Sequence, residues 1–194
     1  MRPAAIILAA GESRRMGRAK AWLPFRGGTF LSVLAGTLAP YCSPLIAVFG
    51  LEGEAGAAAV PEGVNAVINR DYRLGMLSSL QAGLGALTES CNGVLFTLVD
   101  HPAVSRATVE RLLAADADIA IPRIAGERGH PVLVSAGIAR EFLAEPHTSK
   151  VRDVIDRHAE RIRYIDVDDP GIRDDVDDPA IYEALLVREA RLIL

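Results

Sequence analysis

Residues 3–20 read PAAIILAAGESRRMGRAK, an apolar run that leads into a loop with two glycines and four basic side chains. A continuous apolar run bounded by glycine is typical of a strand covered on both faces of a sheet. The run is short and the paired arginines follow it, whereas a secretory signal carries its charge before the apolar part. We therefore expect a buried first strand and a basic loop, which either binds an anion or is simply solvated.

Short apolar runs alternate with helical patterns along the rest of the chain. The predicted strands cover residues 3–9, 45–49, 64–68, 94–99, 117–121, 131–134 and 162–167. The predicted helices cover residues 30–39, 78–87, 105–115, 138–143, 149–158 and 180–192, with Ser78 and Ser105 as N-caps. This alternation favours a three-layer α/β/α fold, a mostly parallel twisted sheet with helices on both faces. Ligands of such sheets bind beyond the carboxyl ends of the strands.

The composition restricts the class of protein. The chain has 194 residues, half of them hydrophobic, and a net charge of -4. An acidic chain lacks the basic face of a general nucleic-acid binder, and no apolar run approaches the roughly 20 residues of a membrane span. Cys42 and Cys91 are isolated, which fits a reducing compartment. We expect a single domain over residues 1–194 that is cytoplasmic and binds neither nucleic acid nor membrane.

The glycine spacing of the first loop excludes two common phosphate-binding motifs. Five residues separate Gly11 from Gly17. The dinucleotide fingerprint needs GxGxxG, and the P-loop needs four residues between its glycines and a lysine after the second. A flavin or nicotinamide oxidoreductase is therefore the least favoured enzyme class. Backbone amides of a glycine-flanked loop can still contact phosphate, and arginine and lysine can neutralise it.

An aspartate ends the fourth predicted strand. Asp100 follows the apolar run 94–99, where a buried carboxylate without a partner would be costly. A divalent cation such as Mg²⁺ is the usual partner of a carboxylate that faces phosphates. A turn or helix-cap aspartate before Pro102 is the alternative. His101 and His130 have no second histidine at metal-binding spacing, so packing or hydrogen bonding is the expected role of each.

Seven aspartates lie among residues 166–178. Most of them are expected to form a solvated, turn-rich surface; this group contains Asp166, Asp168, Asp169 and Asp174. One of the others could supply a second carboxylate to a metal at Asp100, and composition alone does not choose between them.

Taken together, these segments resemble the nucleotidyltransferase family that attaches CMP or GMP to molybdopterin, within the nucleotide-diphospho-sugar transferase fold. The opening motif LAAGxSxRMGxxK is matched by Leu8, Ala9, Ala10, Gly11, Ser13, Arg15, Met16, Gly17 and Lys20. Further matches are GMxSSL at residues 75–80, DxP at 100–102, GHPVL at 129–133 and a DIDTP-like segment at 175–179. The similarity thus spans nearly the whole chain.

The resemblance implies which residues bind the nucleotide and which are catalytic. Arg15 and Lys20 would contact its phosphates, and together with Asp100 they would be catalytic. The nucleotide-binding set is Leu8, Ala9, Ala10, Gly11, Ser13, Arg15, Lys20, Ser78 and Ser79. The form LAAG, with Ala10, is similar to relatives that use CTP, whereas LAGG is typical of GTP users.

The metal and the second substrate follow from the same resemblance. Asp100 would bind Mg²⁺, with Asp175 or Asp177 as the second carboxylate, and His130 would face the acceptor, molybdopterin. The family's GDxGAR segment is replaced here by EPHTSKVR at residues 145–152. Because this departure affects the acceptor side, a sugar phosphate or another small phosphate ester is the alternative acceptor. A nucleotide-binding regulator without catalysis is the alternative from another class.

Overall fold

The computed structural model describes residues 2–50, 54–88 and 91–191. The strands in these ranges are β1 Ala4–Ala9, β2 Pro24–Phe25, β3 Gly28–Thr29, β4 Leu45–Phe49, β5 Val64–Ile68, β6 Gly93–Leu98, β7 Ile119–Ile124, β8 Glu127–Arg128, β9 Val132–Ser135 and β10 Ile162–Asp166. The helices are α1 Phe30–Leu38, α2 Glu54–Ala57, α3 Met76–Gly85, α4 Arg106–Leu113, α5 Ala136–Ala144, α6 Val151–Asp156 and α7 Pro179–Arg191.

One twisted sheet forms the centre of the fold, in the order β10-β7-β9-β6-β1-β4-β5. Strand β9 runs antiparallel to both of its neighbours, and the other pairs along this path are parallel. Strand β8 pairs with β7, and β2 and β3 form a separate small hairpin. The expectation of a mostly parallel sheet is confirmed.

Helices cover both faces of this sheet. On β1, Ala5 and Ile7 belong to one buried cluster, which includes side chains from α1, α4 and α7. The alternate residues Ala4, Ile6 and Leu8 belong to a second cluster, which includes side chains from α3, α5 and α6. Because both faces of β1 are buried, the strand is apolar throughout, and three layers result.

The order of the strands creates a crevice beside β1. The chain passes from β1 to β4 and β5 on one side and then returns through α3 to β6 on the other side. The loops that leave β1 and β6 therefore diverge at the same edge of the sheet. In open α/β sheets such a switch point is where ligands bind.

Most predicted elements are present, but one of the two predicted N-caps is wrong. Ser105 is the N-cap of α4, as expected, and its side chain accepts a hydrogen bond from the backbone of Thr108. Ser78, however, is not an N-cap, because α3 already begins at Met76 after Gly75. Gly75 has a φ of 114°, which is strained for any other residue and ends the preceding turn. The β2–β3 hairpin, β8 and α2 were not predicted.

The expectation that Asp169 belongs to a solvated surface is wrong. Its side chain is buried and accepts hydrogen bonds from the Ser105 backbone at 2.9 Å, the Thr108 hydroxyl at 2.6 Å and the Gly171 backbone at 3.0 Å. Asp174 is likewise held, in a two-pronged ion pair with Arg188. Both residues tie the acidic segment to the rest of the fold.

We predict that Asp169→Ala lowers the free energy of unfolding by about 3 kcal/mol, because buried donors lose a charged acceptor. Urea denaturation followed by circular dichroism measures this loss. Asp168→Ala is the matched control, because Asp168 is exposed, and it should change stability by no more than about 0.5 kcal/mol. Equal stability of the two variants would show that the Asp169 contacts do not anchor the segment.

Two further predictions from the sequence concern membrane-spanning segments and the state of the two cysteines. In the described ranges, no helix combines the length and the apolar character needed to span a bilayer. Both cysteines are free thiols. Cys42 is buried, and this burial raises its pKa to about 12, which makes it a packing residue rather than a nucleophile.

Candidate functional site

A cleft of about 520 Å³ opens beyond the carboxyl ends of β1 and β6. The residues that line it are Leu8, Ala9, Ala10, Gly11, Glu12, Ser13, Arg14, Arg15, Lys20, Tyr72, Gly75, Met76, Ser79, Leu98, Val99, Asp100 and Asp177. The structure thus brings together, in one cleft, residues 10–15 and Lys20 of the first loop, the start of α3 and two of the predicted metal carboxylates. This is the position that the strand order predicts.

The first loop folds back on itself around Ser13. Its carbonyl accepts hydrogen bonds from the backbone of Met16 and Gly17 at 3.0 and 3.1 Å, and its φ of 48° lies in the left-handed region. The Ser13 hydroxyl accepts a hydrogen bond from the backbone of Lys20 at 3.2 Å. This contact fixes the end of the loop and holds the Lys20 side chain at the cleft.

Three carboxylates converge on the same point. Asp100, Asp175 and Asp177 each offer an oxygen atom, and these atoms lie within 4.8 Å of one another. Asp100 follows β6, while the other two flank Val176, which is fully buried. The Val176 backbone donates a hydrogen bond to the Asp100 carbonyl at 3.1 Å, which locks the two segments together. The predicted metal residues are therefore neighbours in space.

Two basic side chains contact this acidic cluster. Lys20 Nζ lies 2.8 Å from Asp100 Oδ2 and 2.5 Å from Asp177 Oδ1. Arg15 Nη2 lies 2.6 Å from Asp177 Oδ2. Lys20 and Asp100 are largely buried, with 11% and 16% of their side chains exposed, whereas 68% of the Arg15 side chain is exposed. Lys20 is therefore the central cation of the site.

The pKa shifts follow from these contacts. Burial by itself would lower the pKa of Lys20, but the Asp100 and Asp177 carboxylates raise it above its ordinary value. Burial would raise the pKa of Asp100, but the hydrogen bond from His101 and the charge of Lys20 bring it down to about 2. The hydrogen bond from Lys20 also lowers the pKa of Asp177. All three side chains are charged at neutral pH.

The charged form of Asp175 is less favoured than that of Asp100 or Asp177. Its pKa is raised, first by burial and then by the negative charges of Asp100 and Asp177. Three carboxylates so close together repel one another unless a cation lies between them. Oxygen atoms of carboxylates are the ligands that Mg²⁺, Ca²⁺ and Mn²⁺ prefer, so the chemistry of this donor set fits a hard divalent cation.

We predict that Asp175→Asn raises the thermal unfolding midpoint at pH 7 and low ionic strength, on the order of 1–3 °C, because one of three mutually repelling charges is removed. Differential scanning calorimetry without added divalent cations measures the change. Asp168→Asn, which removes an exposed charge elsewhere, should leave the midpoint unchanged. A midpoint that falls in Asp175→Asn would mean that this carboxylate stabilises the fold rather than serving the site.

The two serines of the GMxSSL segment lie in different places. Ser79 lines the cleft, as predicted. Ser78 is not among the residues that line it; its hydroxyl donates to the carbonyls of Asp71 and Gly75 at 3.0 and 2.8 Å. The Asn69 amide donates to both serine hydroxyls at 3.0 Å. Ser78 therefore holds the start of α3 in position, and a direct contact with the nucleotide remains a prediction for Ser79.

A second cavity of about 340 Å³ lies beside the acidic cluster and contains His130. Its lining is largely apolar, with Phe96, Ile121, Val132, Val151, Ile155 and Ile172, and it also carries Arg128, Arg152 and Arg173. Met76 lines both cavities, and Asp175 lines the second. The placement of His130 at a separate but adjacent cavity fits its predicted position next to a second substrate.

Two histidines of the second cavity connect it to Asp100. His101 is buried, and its Nδ1 lies 3.1 Å from Asp100 Oδ1. The centroids of the His101 and His130 rings are 5.0 Å apart, in an edge-to-face arrangement. Burial, followed by the charge of His101, lowers the pKa of His130, so the His130 ring is neutral at pH 7. The expected hydrogen-bonding role of His101 is confirmed.

Sequence reasoning missed several residues of the cleft. Glu12 lines it and pairs with Arg14, and its carboxylate also accepts a hydrogen bond from Arg73 at 3.1 Å. Arg14 also borders the cleft, with most of its side chain exposed. Tyr72 lines it too. Its place after β5, at the ligand edge of the sheet, is the signal that could have identified it.

The comparisons with known proteins agree with this geometry. A family model described as the MobA-like NTP transferase domain matches residues 5–162. This chain belongs to the MobA-like NTP transferase family. The match covers most of the chain and includes the first loop, Ser79, Asp100 and His130, whereas Asp175 and Asp177 lie beyond its end.

Two similar relatives carry different names. Nicotine blue oxidoreductase of Paenarthrobacter nicotinovorans is 38% identical over 146 residues, 69% of this chain and 71% of that protein. Molybdenum cofactor cytidylyltransferase of Escherichia coli strain K12 is 32% identical over 154 residues, 77% of this chain and 79% of that protein. Relatives similar to this chain therefore bear the names of different enzymes.

Solved structures confirm the α/β fold of the chain. The homologue of Rv0371c from Mycobacterium sp. strain JC1 superposes with a TM-score of 0.83 and 32% identity, over 98% of both chains. A crystal structure of Rv0371c from Mycobacterium tuberculosis H37Rv, in complex with manganese, has a TM-score of 0.76 and 26% identity, over 96% of this chain and 99% of that one.

Proposed function

We propose that this protein transfers the nucleoside monophosphate of CTP to the phosphate group of molybdopterin and releases pyrophosphate. The observation that carries the proposal is the meeting of Lys20, Arg15 and three carboxylates at the end of the first loop. Such a cluster suits the handling of phosphates and a divalent cation, and the family supports nucleotidyl transfer.

The reaction needs positioning and charge neutralisation rather than a strong general base. A phosphate monoester is already anionic at neutral pH, and one of its oxygens attacks the α-phosphorus of the triphosphate. The bond from that phosphorus to the departing pyrophosphate breaks in line. Lys20 and Arg15 neutralise the negative charge that develops on the pyrophosphate, and the backbone amides near Gly11 and Ser13 contact the triphosphate.

The metal has a defined place in this scheme. Asp100, Asp175 and Asp177 would hold Mg²⁺, which supplies charge stabilisation for the phosphoryl oxygens. The manganese complex of the mycobacterial relative supports a divalent cation in this fold. The chain's own contribution is a rigid set of carboxylates, because Val176 anchors two of them in the core.

The second cavity fits the acceptor that the resemblance implies. Its apolar walls suit a flat ring system, and Arg128, Arg152 and Arg173 provide cations for a phosphate group. Met76 joins this cavity to the nucleotide cleft. An acceptor bound here would direct its phosphate toward the α-phosphorus next to Asp100.

The acceptor is tested by a pyrophosphate-release assay with CTP and Mg²⁺ and a panel of phosphate monoesters. Molybdopterin should be the acceptor with the highest kcat/KM, and sugar 1-phosphates should give no release above background. Faster pyrophosphate release with a sugar phosphate would identify that sugar phosphate, and not molybdopterin, as the acceptor. Mg²⁺-dependent thermal stabilisation by CTP, with no release for any acceptor, would instead support a nucleotide-binding regulator.

The preference for CTP depends on Ala10, which lines the cleft. A methyl group at this position removes space that glycine would leave for a larger purine base. We expect kcat/KM for CTP to exceed that for GTP by about tenfold or more. Ala10→Gly should reduce this CTP-to-GTP ratio. A wild-type preference for GTP would overturn the assignment of the base.

A redox activity is the second candidate, favoured by the 38% identity to nicotine blue oxidoreductase. The missing dinucleotide glycine motif argues against a redox activity. Because this relative bears an oxidoreductase name, that argument is weaker than the sequence alone suggests. Reduction of nicotine blue in the presence of NADH or NADPH, followed by absorbance, tests it. We expect no reduction; turnover that survives Asp100→Asn would support the redox assignment.

A further inference from the structure

The two basic residues that the resemblance assigns to phosphates contact carboxylates instead. Lys20 Nζ bridges Asp100 Oδ2 and Asp177 Oδ1, and Arg15 contacts the other oxygen of Asp177. The second oxygen of Asp100 faces the His101 ring at 3.1 Å. Every carboxylate oxygen of Asp100 and Asp177 therefore has a partner from this chain.

A divalent cation at the proposed site needs some of the same oxygens. Carboxylate oxygens that coordinate a metal would bring it close to the Lys20 ammonium, and like charges at such a distance repel strongly in a largely buried site. The lysine and the metal are thus alternative partners of the same oxygens. This step rests on the proposed function, which places the metal there.

We infer that Lys20 and Arg15 are internal counter-ions that compete with the divalent cation for Asp100 and Asp177 and hold this site at low cation affinity. The lysine stem has four flexible carbons, so its ammonium can leave the carboxylates when a phosphate group offers another anion. A triphosphate that engages Lys20 and Arg15 thereby frees the oxygens for the metal. The same two residues serve the phosphates and regulate metal entry.

Lys20 and Arg15 should lower the affinity for the divalent cation by different amounts. Lys20 contacts two carboxylates and is 11% exposed, so loss of its charge should raise the affinity for Mn²⁺ on the order of tenfold or more. Arg15 contacts only Asp177 and is 68% exposed, so its loss should raise the affinity only about two- to threefold. This ranking distinguishes competition at the carboxylates from a general effect of net charge.

The test is the binding of Mn²⁺ alone, without nucleotide, measured by electron paramagnetic resonance of the free ion. Lys20→Met should bind Mn²⁺ on the order of tenfold more tightly than the unmodified chain, and Lys20→Arg, which keeps the charge, should not. Lys150→Met is the matched control, because it removes an exposed lysine with the same change in net charge. Its Mn²⁺ affinity should equal that of the unmodified chain.

The possible results separate this inference from the proposed function. If the unmodified chain and Lys20→Met bind Mn²⁺ with equal affinity, the inference that Lys20 competes with the cation is overturned, but the proposed metal site is not. Binding that Asp100→Asn does not weaken places the ion elsewhere and overturns both claims, as does absence of Mn²⁺ binding in every variant. If Lys20→Met fails to fold, Arg15→Met carries the test, because its exposed side chain can be removed without loss of the core.

Discussion

Asp100→Asn is expected to lower the turnover of nucleotidyl transfer by about 10²–10³-fold, the typical cost of removing one electrostatic contact from a transition state. Asparagine keeps the size of the side chain but removes the charge that a divalent cation and Lys20 both require. Because Asp100 follows β6 and its backbone carbonyl is held by Val176, the substituted residue should stay in place. The loss should therefore appear in kcat measured with saturating Mg²⁺, CTP and acceptor.

The structure of the variant provides the control for this prediction. Its circular dichroism spectrum and thermal midpoint should remain close to those of the unmodified chain, because Lys20 keeps its contact with Asp177. Asp168→Asn removes an exposed aspartate from the acidic segment and should retain full turnover. Near-normal turnover of Asp100→Asn would remove this carboxylate from the catalytic scheme.

Lys20→Ala should also lose about 10²–10³-fold in turnover, for a different reason. Lys20 is the least exposed cation at the cleft, and its charge is the one best placed to neutralise the departing pyrophosphate. Alanine removes both this charge and the stem that fills the space beside Asp100. Single-turnover measurements with pre-bound nucleotide would locate the loss in the chemical step.

Two further variants separate charge from packing at this position. Lys20→Met keeps much of the stem and should be as slow as Lys20→Ala, whereas Lys20→Arg keeps the charge and should recover part of the turnover. Arg140→Ala, which removes an exposed positive charge from α5, should be unaffected. If Lys20→Met were as active as the unmodified chain, the ammonium group would have no role in the reaction.

Local patterns were sufficient to predict most of the architecture. The continuous apolar run at residues 45–49 coincides with β4, because a buried parallel strand needs apolar side chains on both faces. Residues 64–68 coincide with β5, an edge strand that is only partly buried and contains the exposed Asn65. Short elements such as β2, β3 and β8 were missed because two residues carry no periodicity. Their pairing depends on tertiary contacts that a sequence pattern does not contain.

The site was predicted unevenly, for reasons that are visible in its contacts. Asp100 could be located because it ends a buried strand at the ligand edge of the sheet. The roles of neighbouring aspartates in the acidic segment could not be separated, since Asp169 is buried by partners more than 60 residues away, Ser105 and Thr108. Likewise, the contact between Lys20 and Asp177 joins residues 157 positions apart, and no spacing in the sequence indicates it.

The most direct test of the account is transfer of the α-phosphorus of labelled nucleotides to molybdopterin, with CTP, GTP, ATP and UTP compared under the same conditions with Mg²⁺. We predict that CTP gives a labelled molybdopterin dinucleotide together with an equal amount of pyrophosphate, and that Asp100→Asn abolishes most of both. Release of pyrophosphate with none of the four nucleotides, from a folded protein with active acceptor, would contradict the central claim that this chain is a nucleotidyltransferase.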